Sequence, residues 1–83
     1  MGEQYEQFKT TKYRLLEEIL TIKGLPLQAT YTNGDLARIF DVSIRAIQNR
    51  VASGQLIPRN LPGRAKFLTQ DLEDFLLASR RSG

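Results

Sequence analysis

The sequence predicts a mainly α-helical fold with one small β-hairpin, and three observations support this prediction. Apolar residues recur at helical spacing in four segments, at residues 3–23, 32–40, 43–52 and 69–79. Residues suited to begin or end a helix stand at the boundaries of these segments. Between the third and fourth segments, two short apolar runs flank a Pro-Gly pair, a pattern typical of a hairpin.

A long N-terminal helix is predicted from Glu3 to Lys23. Gly24 and Pro26 are expected to end it, because glycine accepts the left-handed conformation of a helix C-terminus and proline cannot continue a helix. Residues 25–31 are then predicted to form a linker. The apolar residues of the helix are Tyr5, Phe8, Leu15, Leu16, Ile19 and Ile22.

The second and third predicted helices are short and follow each other closely. Thr32 is expected to cap the second helix, with Asp35 completing a capping box. Residues 41–43 interrupt the helical pattern, and Ser43 is a favourable N-cap for the third helix. Gly54 is expected to end that helix. The inward stripe of the third helix is predicted to be Ile44, Ile47 and Val51.

The β-hairpin is predicted from the apolar pairs at 56–57 and 67–68. Pro62 and Gly63 suit the turn, because glycine accepts a positive φ. Pro58 cannot donate a ladder hydrogen bond, so its strand is expected to be short or at an edge.

Thr69 is expected to cap the final helix, whose inward residues are predicted to be Leu72, Phe75 and Leu76. Helix, tight turn, helix, hairpin and helix follow one another in the order of a winged helix-turn-helix domain. The predicted organisation is an N-terminal helix at 1–24, a linker at 25–31, the winged domain at 32–79 and a basic tail at 80–83.

Composition argues against several classes of protein. The chain has no cysteine and no histidine, so a disulfide is excluded and a zinc site is not expected. The commonest nucleophile–base pairs are missing too, and we do not expect an enzyme. No cofactor or small-molecule effector is indicated. No apolar run is long enough to span a bilayer, and no signal peptide is evident. We therefore expect a cytoplasmic, nucleoid-associated protein of a bacterium or phage.

The charge of the chain is unevenly distributed. The 12 basic and 9 acidic residues give a net charge of +3. Residues 1–31 carry equal numbers of each sign, whereas no acidic residue lies between Asp41 and Asp71. A localised basic surface is typical of a polyanion-binding protein. The basic residues of this segment are Arg45, Arg50, Arg59, Arg64 and Lys66.

A helical wheel of the third helix places Arg45, Ala46, Asn49 and Ser53 outside. Arg45 and Asn49 are the best candidates to read bases, because arginine pairs with guanine and asparagine with adenine in the major groove. Gln48 is the next candidate. The predicted DNA-binding residues are Ser43, Arg45, Ala46, Gln48, Asn49, Arg50, Arg59, Arg64 and Lys66.

The remaining contacts of this surface are expected to go to phosphates or to a neighbouring groove. Ser43 at the helix N-terminus suits a phosphate, and Arg50 suits the backbone. The hairpin cations, at positions 59, 64 and 66, would reach the adjacent groove or backbone. Only Phe67 among the aromatics lies in the basic segment, so a stacking platform for single strands is not favoured over duplex DNA.

Two alternatives stay open at this point. The basic surface of a winged helix could instead dock an acidic protein, as an adaptor in a nucleoprotein or phage-packaging assembly. The N-terminal helix either packs on the winged domain and enlarges its core, or pairs with a second copy to form a homodimer. Lys12 interrupts its apolar stripe, whereas Leu16 and Leu20 broaden its apolar surface.

The stretches YTNGDLARIFDVSIRAIQNRVASGQL and GRAKFLTQDLEDFL together resemble the excisionase-like, MerR-related winged helix-turn-helix family. The resemblance covers about residues 31–78. It implies sequence-specific duplex DNA binding, by a transcriptional regulator or an architectural factor in recombination. By position, the recognition helix of the family falls on residues 43–52 and its wing cations on Arg64 and Lys66. Asp41 stands where the family usually has glycine, and it is expected to adopt a left-handed φ.

Overall fold

The computed structural model describes residues 12–79 of the chain, which form four helices and a two-stranded antiparallel sheet. This confirms the predicted mainly α-helical fold with one small antiparallel β element. No helix within residues 12–79 is long and apolar enough to cross a membrane. In chain order the elements are α1 (Arg14–Lys23), β1 (Thr30–Tyr31), α2 (Asn33–Phe40), α3 (Ile44–Ala52), β2 (Phe67–Leu68) and α4 (Thr69–Ser79).

Helix α1 begins at Arg14, so the predicted helix does not continue through Lys12 and Tyr13. The reason is a carboxylate from α4. Glu73 accepts the backbone N–H groups of Leu15 at 3.1 Å and Leu16 at 3.0 Å, which fixes the first turn of the helix at this point. The predicted start at Glu3 and the basic tail at 80–83 lie outside the described residues.

Gly24 ends α1 with a φ of 72°, as predicted. Its N–H group donates to the carbonyls of Leu20 and Thr21, and the N–H of Leu25 also donates to Leu20. Left-handed glycine with this hydrogen-bond pattern is a common way to satisfy the last carbonyls of a helix.

The helices α2 and α3 begin as the sequence predicts. Thr32 and Asp35 form the capping box, in which Asp35 N–H donates to Thr32 Oγ1 at 3.0 Å and Thr32 N–H donates to Asp35 Oδ2 at 2.9 Å. Ser43 caps α3, its hydroxyl accepting the N–H of Ala46 at 3.1 Å. Asp41 adopts the left-handed conformation with a φ of 58°, and Gly54 follows α3 with a φ of 85°.

The sheet pairs different strands from those predicted. Thr30 pairs with Leu68 and Tyr31 with Phe67, so the partner of 67–68 comes from the predicted linker 25–31 and not from 56–57. Leu56 cannot join a ladder, because its N–H already donates to the carbonyl of Arg50 at the end of α3. Pro58 has no N–H to contribute.

The core contains residues from all four helices and both strands. Thr69 contributes differently from the prediction, because its hydroxyl does not cap α4. It donates to the carbonyls of Gln28 at 2.6 Å and Ala29 at 3.2 Å and thereby ties the start of α4 to the segment before β1. The buried apolar residues are Leu16, Leu20, Tyr31, Leu36, Ile39, Ile47, Leu56, Phe67 and Leu72, with Phe75 and Leu76 packed against them.

Candidate nucleic-acid interface

Helix α3 packs on α2 through the side that carries Ile47 and Val51. Ile47 is buried and Val51 is half-buried, as predicted. Ile44 departs from the predicted inward stripe, since half of its surface is exposed. It is the first residue of the helix, and its side chain tilts toward the N-terminus, past the contact with α2.

The opposite side of α3 is exposed and polar. Arg45, Gln48 and Asn49 all point into solvent, together with Ser53 after the helix end, whereas Ala46 is half-buried. Within residues 12–79, neither a hydrogen bond nor an ion pair engages the guanidinium of Arg45. The amides of Gln48 and Asn49 make no hydrogen bond within these residues either. These side chains are therefore available to an incoming partner.

Ser43 and Arg50 lie at the two ends of α3, and both side chains already have a neighbour. The Ser43 hydroxyl accepts one N–H, which leaves its own hydrogen free to donate to an anion. Arg50 donates from Nη1 to Gln55 Oε1 at 2.6 Å and keeps its other N–H groups exposed. Both positions suit a contact to phosphate and neither is preorganised to read a base.

The 58–66 loop stands beside α3. One backbone hydrogen bond closes it, from the N–H of Arg59 to the carbonyl of Lys66 at 2.7 Å. The N–H of Lys66 then donates to the carbonyl of Tyr31 at 2.9 Å, which anchors the loop to β1. Arg64 and Lys66 are exposed, and no carboxylate of residues 12–79 contacts their charged groups. The loop adjoins α3, because Lys66 lines one cleft with Gln48 and Val51.

Arg59 differs from the other two loop cations. It donates from Nε and Nη2 to the two oxygens of Asp71, at 2.8 and 2.9 Å. These hydrogen bonds lower the pKa of the Asp71 carboxyl, against partial burial that raises it, and they raise the pKa of Arg59. The expectation that no acid lies near the loop cations is thus wrong for Arg59, because α4 brings Asp71 beside it.

A small cleft between α2, α3 and the loop contains a residue that the sequence analysis missed. The cleft has a volume of about 190 Å³, and Asn33 lies in its wall. The Asn33 Oδ1 atom is buried and has no hydrogen-bond partner within residues 12–79. Its place directly after the cap Thr32, at the positive end of α2, is the signal that could have identified it. The other lining residues are Gln48, Val51, Pro58 and Lys66.

No protein-family model matches the chain, and comparisons with curated proteins and with solved structures find no match either. The resemblance of residues 31–78 to excisionase-like proteins therefore stays a prediction. The exposed side chains of α3 and of the 58–66 loop are therefore the features from which a function can be inferred.

Proposed function

We propose that the chain binds double-stranded DNA sequence-specifically as a winged helix-turn-helix protein. In this proposal α3 is the recognition helix and the 58–66 loop is the wing. The observation that carries it is that α3 and the loop adjoin each other, since Gln48 and Lys66 line one cleft. An exposed helix face bears Arg45, Gln48 and Asn49, and a closed loop beside it bears Arg64 and Lys66.

The dimensions and side chains of α3 suit the major groove. A helix with its side chains is about 10–12 Å in diameter, and the groove, about 12 Å wide, admits one helix. Arg45 can donate two hydrogen bonds to a guanine, and Asn49 can pair in the same way with an adenine. Gln48, which precedes Asn49 and lies at the edge of the same face, would read a neighbouring base.

The remaining polar contacts would go to phosphates. Ser43 and Arg50 flank the reading face, and Arg64 with Lys66 would reach the adjacent groove or backbone. Three of these side chains are cations, and three neutralised phosphates predict a slope of about −2.7 in a plot of log affinity against log salt concentration. Arg59 contributes less in this proposal, because Asp71 already holds its guanidinium.

The test is a fluorescence-anisotropy titration of a random-sequence duplex at two salt concentrations. The double variant Arg45→Ala/Arg64→Ala should weaken binding at least about 10-fold, since it removes two cations that would face the DNA. The control is Arg38→Ala on α2, which removes an exposed charge beside Leu20 and Tyr31 and away from α3 and the wing. We expect it to change the affinity less than about twofold.

Equal losses in the double variant and in the control would place DNA elsewhere on the protein. The absence of binding at low salt would overturn the DNA proposal altogether. A site selection from random duplexes would then define the target sequence of a protein that passes the first test. Such a protein would act by occupying or bending its site, as a transcriptional regulator or as an architectural factor in recombination.

A protein-adaptor function is the second candidate, and one observation favours it. Val42 and Ile44, at the start of α3, are exposed apolar side chains beside the basic surface. An acidic partner with an apolar centre would match such a surface. If low-salt titrations detect no DNA binding, the same Arg45→Ala/Arg64→Ala variant should be used to map binding of an acidic protein.

A further inference from the structure

A second surface of the protein is an open groove along α1 and α4, which we call the α1–α4 groove. Its volume is about 790 Å³, and it shares no lining residue with the cleft beside α3. Charged residues from α1 and from the segment before it stand at its rim, namely Lys12, Arg14 and Glu18. Its apolar lining consists of Leu15, Ile19, Ile22, Leu76 and Leu77.

Within residues 12–79, the α1–α4 groove has exposed apolar side chains. Ile22 is 79% exposed and Leu77 is 46% exposed. Helix α1 buries Leu16 and Leu20 in the core, and its apolar surface continues from them into the groove. Contiguous exposed apolar surface marks an interface.

We propose that a second copy of this chain covers the α1–α4 groove, so that the protein forms a symmetric homodimer. In a two-fold contact the same patch meets itself, and the patch must therefore be self-complementary in charge. The rim meets this requirement, because Lys12 and Arg14 are cations and Glu18 is an anion. A polyanion such as DNA would meet the Glu18 carboxylate, which makes it a poor occupant.

The order of these residues along α1 suggests the register of the contact. Two antiparallel α1 helices with the axis near residue 17 place Leu15 of one copy opposite Ile19 of the second copy. In the same register, Arg14 of one copy comes within reach of Glu18 of the second copy, and symmetry repeats the pair. The Glu73 carboxylate in the groove wall is not available for such a pair, because it accepts two N–H groups of α1.

The size of the face sets the expected affinity. Helices of 10 and 11 residues are about 15 and 16 Å long, so the shared face is at the small end of stable protein interfaces. We expect a dissociation constant on the order of 1–100 μM. The inference is independent of the proposed DNA binding, because neither the groove nor its test involves α3 or the 58–66 loop.

Sedimentation equilibrium of the full chain, over a range of micromolar concentrations, tests the proposal. Wild type should sediment as a reversible dimer. The Ile22→Lys variant should raise the dissociation constant at least about 10-fold, because the proposed register places residue 22 opposite Lys12 of the second copy and so brings two cations together. Ile22 is so exposed that the substitution should leave the fold intact, which circular dichroism checks.

The chain offers a matched control in Ile57→Lys. Ile57 is 72% exposed, nearly as much as Ile22, and lies outside the α1–α4 groove. The dimer should survive this substitution with less than about a twofold change in dissociation constant. A wild-type monomer at the highest concentration, or equal dissociation by both variants, would overturn the proposal.

A charge exchange tests the register. Arg14→Glu and Glu18→Arg should each weaken the dimer, since each brings like charges together across the two-fold axis. The double variant Arg14→Glu/Glu18→Arg should restore most of the affinity, because each pair is then re-formed with its signs exchanged. A double variant weaker than both single variants contradicts the proposed antiparallel contact.

Discussion

The helices α1 and α2 begin in opposite ways, and the difference shows what each contributes to the fold. The first turn of α2 is capped by Thr32 and Asp35, which lie within three residues of the groups they satisfy. The first turn of α1 has no side-chain cap of its own, and Glu73 of α4 supplies the acceptor. A local cap stabilises one helix, whereas a remote cap also holds two helices together.

The start of helix α4 combines a local contact with a remote one. Asp71 reaches back to accept the N–H of Leu68, the residue before the helix, at 2.8 Å, which is half of a capping box. The other half is missing, because the side chain of Leu68 has no oxygen that could accept an N–H. The Thr69 hydroxyl donates instead to the carbonyls of residues 28 and 29. The same Asp71 carboxylate also holds Arg59 of the 58–66 loop. Its capping role therefore extends to the position of the loop.

The sharpest test of this comparison is removal of the remote cap. Glu73 is 4% exposed, and Glu73→Ala leaves the N–H groups of Leu15 and Leu16 without their acceptor. We expect the free energy of unfolding to fall by about 2–4 kcal/mol, measured by urea denaturation. Glu73→Gln keeps one acceptor oxygen and should cost about half as much.

The exposed neighbour Asp74 provides the control for Glu73. Within residues 12–79, its carboxylate accepts only from the side chain of Gln70 on the same helix, so Asp74→Ala should change the free energy of unfolding by less than about 0.5 kcal/mol. If Glu73→Ala proves no more destabilising than Asp74→Ala, the remote cap contributes nothing and the comparison fails.

Removal of the local cap should have a smaller effect. Thr32→Ala is expected to lower the free energy of unfolding by about 1 kcal/mol, the usual cost of losing an N-cap hydroxyl. Urea denaturation of Thr32→Ala, Asp35→Ala and the double variant would measure the coupling free energy between the two side chains of the capping box. Thr32→Ala and Glu73→Ala should in contrast be additive, because they act on different helices. A larger loss of free energy of unfolding in Thr32→Ala than in Glu73→Ala would contradict the proposed order.

The smallest expected effect concerns pH. Because Arg59 lowers the pKa of folded Asp71 below its unfolded value, the carboxylate contributes stability above the unfolded pKa. That contribution is lost as the pH falls through the folded pKa. We expect the free energy of unfolding to fall less on acidification in Asp71→Asn than in wild type. The difference should be less than about 1 kcal/mol, because Arg59 is exposed to solvent. Thermal unfolding of both proteins between acidic and neutral pH measures it, and parallel pH profiles would contradict this assignment.

The contrast between local and remote contacts also explains what the sequence could predict. The capping box at Thr32, the cap at Ser43 and the left-handed turns at Gly24 and Asp41 depend on neighbouring residues, and all are confirmed. The exposed face of α3 follows from helical period alone, apart from Ile44, which is exposed, and Ala46, which is half-buried. These features include most of the residues of the candidate interface.

What the sequence could not predict depends on contacts between distant segments. The pairing of Tyr31 with Phe67 joins a predicted linker to a predicted hairpin arm, and no local signal specifies that partner. The Arg59–Asp71 ion pair was missed because charge was counted along the chain, whereas α4 returns Asp71 to the loop. The cap from Glu73 was missed for the same reason.

The pairing of β1 with β2 has a consequence for how the chain folds. It closes residues 30–68 into a loop, and the entropy of bringing such ends together corresponds to about 3 kcal/mol. The backbone hydrogen bonds between two pairs of residues do not offset this cost by themselves. Burial of the Tyr31 and Phe67 rings offsets it, because each ring contributes about 2–3 kcal/mol. Loop closure and core formation are therefore a single cooperative event, and the 58–66 loop acquires its fixed position beside α3 only when that event is complete.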